Sequence, residues 1–102
     1  MITSFDIGGT TIKAATATGP GALTPIGRLP TPRDDFEAFA DVIRALSEAG
    51  GAPAGSAIAI SVTGVVDPAS GIATVANIPC IDGRNLGGEL EARLKRPVLV
   101  AN

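Results

Sequence analysis

The chain has no histidine, no tryptophan and no tyrosine, and it holds a single cysteine, a single methionine and three phenylalanines. Each scarcity closes a route. With no His and one Cys, no zinc constellation can form within these residues. A lone Cys80 cannot close an intrachain disulfide, and with no His or CxxC partner it reads as a passive small residue rather than a reactive thiol. Three aromatics and a net charge of −2, with the basic residues scattered, give neither a stacking platform nor a phosphate-backbone patch, which argues against a nucleic acid partner. The N-terminal MITSFDIGG lacks a basic region followed by a long apolar run. No apolar stretch approaches the roughly 20 residues that span a bilayer. The expectation is a cytoplasmic protein with no membrane partner.

What remains suits one compact unit. At 102 residues the length fits a single domain, and 45% hydrophobic residues suffice for a core. Ile2 to Ile7 and Thr11 to Thr18 read as two strands joined at Gly8-Gly9, and about Leu23 to Leu29 as a third, giving an antiparallel meander. Asp34 with Glu37 forms a capping-box pattern, and Phe36, Phe39, Ala40, Ile43 and Leu46 then recur at helical spacing. Ser56 to Val62 is an unbroken apolar run, as expected of a central strand covered on both faces. Thr63 to Gly71 reads as a loop and Ile72 to Ala76 as a short strand. An Asn85 cap opens a second helix that ends at Lys95-Arg96 before Pro97. Pro97 to Ala101 reads as a further buried strand that needs cover from a following helix, so the biological chain is expected to continue beyond Asn102. The pattern predicts an α/β fold: a mixed sheet in which a three-strand antiparallel meander precedes alternating helices and strands.

The densest chemical signal is Asp6-Ile7-Gly8-Gly9-Thr10-Thr11-Ile12-Lys13. Glycines let backbone amides approach an anion with no Cβ in the way. A carboxylate at the end of the first strand can hold Mg²⁺, Thr10 can donate to a phosphate oxygen, and Lys13 can add charge. On spacing alone the motif reads first as a plain hairpin turn. Lys13 reads equally as a solvated strand residue. There is no GxxxxGK[ST], and the turn joins two strands rather than opening a helix. Asp67-Pro68 and Ser70-Gly71 read as turn chemistry, and Asp34, Asp35 and Glu37 as ordinary charge in a helix's first turn.

Three segments together resemble the ROK family (repressors, open reading frames and kinases). DIGGTTIKAA is similar to that family's first phosphate motif, VTGVVDPASGIATVANIP to its Gly-x-Val-Asp segment with an Asn-Leu-Pro-like end, and NLGGELEARLKRPVLVAN to the helix and strand leading to its Asn-Asp pair. In order, they cover nearly the whole chain. The resemblance implies a ribonuclease H-like fold of the actin, hexokinase and heat-shock ATPase superfamily, with residues 1–102 as the N-terminal lobe of a two-lobed sugar kinase and the C-terminal lobe lying outside this chain. It implies ATP and Mg²⁺ as cofactors, with Asp6, Gly8, Gly9, Thr10 and Lys13 on the phosphate and Mg²⁺ side. It places Gly64, Asn77 and Asn102 at the sugar. The catalytic base, an Asp in the family, would be the residue directly after Asn102, so this chain holds no catalytic residue of its own. Family members carrying zinc bind it beyond position 102. The implied activity is phosphorylation of a hexose or N-acetylhexosamine, with N-acetylglucosamine and mannose/fructose kinases the most similar in the tail segment, and a homodimer as the full-length assembly. One departure touches the sugar loop: Val62-Thr63-Gly64-Val65-Val66-Asp67 stands where the family commonly has Pro-Gly before its Val-Asp. Two alternatives stay open, a sugar-responsive repressor of the same family and a non-catalytic ATPase-fold module. Repressors of the family carry a helix-turn-helix ahead of this lobe, and the placement of the motif at Asp6 leads us to expect the kinase.

Overall fold

The computed structural model describes residues 1–19 and 21–101. The chain runs β1 (Ile2–Ile7), β2 (Thr11–Ala17), β3 (Leu23–Pro30), α1 (Phe36–Ala49), β4 (Ile58–Val62), β5 (Val65–Val66), β6 (Ala73–Thr74), α2 (Leu86–Leu94) and β7 (Val98–Ala101). Five strands form one mixed sheet in the order β3-β2-β1-β4-β7. β1 pairs antiparallel with β2 and parallel with β4, and β4 pairs parallel with β7. The carboxyl ends of β1, β4 and β7 therefore lie along one rim, the side where open α/β sheets place their ligands.

One face of the sheet carries the core. Phe5 and Ile7 of β1, Ile12 of β2 and Ile58, Ile60 and Val62 of β4 all point to it, together with Phe39, Ile43 and Leu90 of the helices. α1 is amphipathic in the sense its spacing predicts, burying Phe36, Phe39, Ala40, Ile43 and Leu46. Its cap, however, is Asp35 and not Asp34: the Asp35 carboxylate accepts from the Ala38 amide at 3.2 Å. Glu37 is directed elsewhere, to Arg93 of α2 at 3.1 Å, so no capping box closes. Asn85 caps α2 as expected, accepting from the Gly88 amide at 3.1 Å. Lys95 ends the helix in the left-handed region at φ 57°.

Two strand readings need correction. β4 lies inside the sheet but is covered on one face only, because Ala59 and Ser61 alternate with its buried residues and Ser61 is exposed. β7 is the edge strand among the described residues, with Val98 buried and Leu99 72% exposed. The 63–76 segment also folds differently from its reading: Val65–Val66 and Ala73–Thr74 pair as a small hairpin, and residues 72, 75 and 76 lie outside its strands. Its turn is organised by Asp67, whose carboxylate accepts from the Ala69 amide at 3.1 Å and the Ser70 hydroxyl at 2.8 Å. Those bonds stabilise the ionised form and hold Asp67 below the ordinary Asp value. The structural reading of this turn stands.

Candidate functional site

The β1–β2 turn is tight. The Gly8 amide donates to the Thr11 carbonyl at 3.0 Å, so this amide closes the hairpin and is not available to a ligand. The amides of Gly9 and Thr10 have no backbone acceptor outside the strands among the described residues. Neither Gly8 nor Gly9 adopts positive φ. Position 9 is a close approach: a Cβ there would lie 2.5 Å from Asn77 Nδ2, the movable end of an exposed side chain.

The cleft opens beside this turn, a space of about 410 Å³ lined by Asp6, Ile7, Gly8, Thr10, Thr11, Lys13, Arg28 and Thr63. Sheet register explains the grouping. Asp6 stands opposite Lys13 across β1–β2 and opposite Ser61 across β1–β4, and Lys13 stands opposite Arg28 across β2–β3. The row crosses the open face at its ligand-side rim and continues from Ser61 to Ala101 on β7. None of the three ion pairs among the described residues engages Asp6, Lys13 or Arg28.

A three-residue segment after β3 ties the two halves of the site together. The buried Thr31 donates its hydroxyl to the Gly8 carbonyl at 2.8 Å and its amide to the Thr10 carbonyl at 3.0 Å. Two residues on, Arg33 Nε donates to the Asn77 carbonyl at 3.1 Å, and the Arg33 carbonyl accepts from the Cys80 amide at 2.9 Å. Between them the Pro32 carbonyl accepts from the Cys80 thiol at 3.3 Å. Burial pushes that thiol above its ordinary value.

The structure thus brings Asp6, Gly8, Thr10 and Lys13 to one cleft and sets Asn77 against Gly9. Gly64 does not line that cleft. It has φ 149°, and a Cβ on it would collide with the Thr74 carbonyl oxygen, so its glycine is explained by the β5–β6 hairpin packed on it. Its neighbour Thr63 is the wall residue instead. Asn102 lies outside the described residues. Arg28, Thr31 and Arg33 escape a reading by motif. Thr31 and Arg33 act through turns that no local spacing encodes, and Arg28 joins Lys13 through the β2–β3 register, counted through a bulge at Ala14/Ala15.

The residues fit a phosphate chain with Mg²⁺. A carboxylate outside every ion pair among the described residues, the hydroxyl-bearing Thr10 and two cations line one space, whereas Gly9 is not among its lining residues. No cluster of three or more His, Cys, Asp or Glu that could hold a metal occurs among the described residues, and Mg²⁺ commonly takes one or two carboxylates with substrate phosphates and water completing its shell. No helix among the described residues is long and apolar enough to cross a membrane.

The mixed sheet with helices packed on it has the α/β fold of the actin and hexokinase type, shared with solved ROK sugar kinases. The chain belongs to the ROK family, which it matches over residues 2–102. It is 34% identical over 104 aligned residues to the N-acetyl-D-glucosamine kinase of Escherichia coli, covering 100% of this chain and 34% of that protein. Among solved structures, a ROK family glucokinase from Streptomyces griseus in complex with glucose and AMPPNP superposes with a TM-score of 0.83 at 28% identity, over 99% of this chain and 32% of that one. The inorganic polyphosphate/ATP-glucomannokinase of Arthrobacter sp. strain KM gives 0.80 at 29% identity, over 99% of this chain and 43% of that one. The chain spans about a third of the length of the curated relatives it matches.

Proposed function

We propose that this chain is the N-terminal lobe of a two-lobed, homodimeric sugar kinase that moves the γ-phosphoryl group of ATP to a hydroxyl of a hexose or N-acetylhexosamine. The observation that carries the reading is the contact between Gly9 and Asn77, which brings the phosphate turn against the segment proposed to meet the sugar. The relatives' names as sugar kinases support it.

In this reading Asp6 holds Mg²⁺ directly or through water, and the bound ion offsets charge on the phosphates. Thr10 donates its hydroxyl to a phosphate oxygen, joined by the Gly9 and Thr10 amides, while Lys13 adds positive charge. Groups of this kind, aimed at the phosphates, stabilise charge that develops as the phosphoryl group moves. Asn77 and Asn102 orient sugar hydroxyls, a task suited to a side chain that both donates and accepts. The residue after Asn102 supplies the base that takes the proton of the attacking hydroxyl.

The test is to incubate the full-length protein with Mg-ATP and a panel of hexoses and N-acetylhexosamines, and to measure sugar phosphate. Phosphorylation of at least one member is expected. Hydrolysis of ATP unaffected by every sugar would overturn the reading. The 102-residue chain alone is expected to form no sugar phosphate, since phosphoryl transfer needs groups from both sides of a cleft.

A further inference from the structure

Arg28 is an anomaly on the sheet. It stands directly opposite Lys13 on the neighbouring strand, both exposed, and both line the same cleft. Like charges directly opposite each other on adjacent strands are destabilising. No acidic side chain pairs with either cation among the described residues, and Lys13's other cross-strand neighbour is Asp6, the carboxylate assigned to Mg²⁺. With Asp6 committed to a cation, the Lys13–Arg28 pair is left facing the cleft with no counter-charge from the described residues. A single cation at either strand position would avoid this like-charge contact.

We propose that Arg28, acting with Lys13, seats the phosphate chain of the phosphoryl donor and is a donor-positioning residue of this cleft. The inference rests on the reading of the cleft as the donor site and extends it to a residue on the third strand. The chemistry suits the pair: a guanidinium offers a planar fork of donors that can grip two oxygens of adjacent phosphates, while the ammonium of Lys13 acts as a point charge. Two cations one strand apart match a linear anion lying across β2 and β3, with the transferring end toward Asp6 and Thr10. A phosphoanhydride chain is such an anion, whether it belongs to a nucleoside triphosphate or to inorganic polyphosphate.

The experiment uses the full-length protein with two probes, inorganic tripolyphosphate and ATP, each with Mg²⁺. Binding is measured by calorimetry at low and high salt, beside the melting temperature with and without probe. Arg28→Ala is expected to weaken both probes by about tenfold, the scale of one charge-assisted hydrogen bond, with the difference shrinking at high salt. Arg28→Lys should recover part of the loss. Without probe, Arg28→Ala should melt no lower than the parent, because a like-charge contact has been relieved, while its probe-induced rise in melting temperature shrinks. A loss confined to ATP overturns the proposal, since Arg28 would then read the nucleoside. Unchanged binding of both probes also overturns it, yet leaves the cleft reading standing. Failure of the parent protein to bind either probe removes the cleft reading, and this proposal with it.

Discussion

Asn77 rests on Gly9 so closely that a methyl group at position 9 would lie 2.5 Å from the side-chain nitrogen of Asn77. The two residues are far apart in sequence and come from the two segments read as phosphate side and sugar side. Gly9→Ala in the full-length protein should therefore cost little stability, under about 1 kcal/mol, because the end of an exposed side chain can move. It should displace Asn77 and impair catalysis more than Asn77→Ala does. The measurement is a double-mutant cycle on kcat/KM. Strong non-additivity between the two changes is expected, and simple additivity would show that the contact is incidental.

Gly64→Ala should behave in the opposite way. Its φ is 149°, and a methyl group added there would run into the Thr74 carbonyl oxygen, so the obstacle is backbone and cannot swing aside. A loss of about 2–4 kcal/mol is expected from strain and displacement together, read by denaturant unfolding. A stability within about 1 kcal/mol of the parent, by the same scale, would mean the 63–75 segment is looser than described.

Asp6 and Asn77 should damage different kinetic parameters. Asp6→Asn is expected to lower kcat on the order of 100-fold and to shift the Mg²⁺ dependence, with sugar binding in the absence of ATP retained. Asn77→Ala should raise the sugar KM and leave ATP binding near that of the parent. Equal shifts in the same parameter for both variants would refute the assignment of the two residues to opposite sides of the cleft.

Acid should weaken the fold through Asp67 and Glu37. Both carboxyls sit below their ordinary values, Asp67 first through its Ser70 hydrogen bond and Glu37 first through Arg93. A depressed folded pKa contributes stability that is fully present above the unfolded value and lost as pH falls through the folded one. The melting temperature should therefore hold near neutral pH and fall below about pH 4, the ordinary carboxylate range. Ser70→Ala should flatten part of that acid slope. An unchanged slope would show that the Asp67 turn opens before the fold does.

Much of the fold is legible in the sequence where a pattern repeats. Phe36, Phe39, Ile43 and Leu46 announce α1 by period, and Ile7-Gly8-Gly9 announces the hairpin by punctuation. The reading falters where one residue decides. The spacing to Glu37 picks Asp34 as the cap, whereas the backbone selects Asp35. The SAIAISV run reads as apolar on both sides because alanine and serine are too small to declare a face, although Ser61 is exposed. Strands of two residues, Val65–Val66 and Ala73–Thr74, are shorter than any period. Within the site, Asp6, Gly8, Thr10 and Lys13 share one short stretch of chain and so are visible together. Arg28 needs the register, and Thr31 and Arg33 need the tertiary hydrogen bonds.

The Thr31-Pro32-Arg33 segment has a consequence for how the molecule opens. It holds Gly8 and Thr10 at one end and Asn77 and Cys80 at the other, and it leads within a few residues into the first turn of α1. Local opening proceeds through units joined by such bonds. The Thr31 amide, the Cys80 amide and the Phe39 amide, which is bonded to the Asp35 carbonyl at 3.0 Å, should then exchange with solvent at a common opening free energy. The β1–β2 turn and the 77–80 segment would loosen as one body, together with the start of α1.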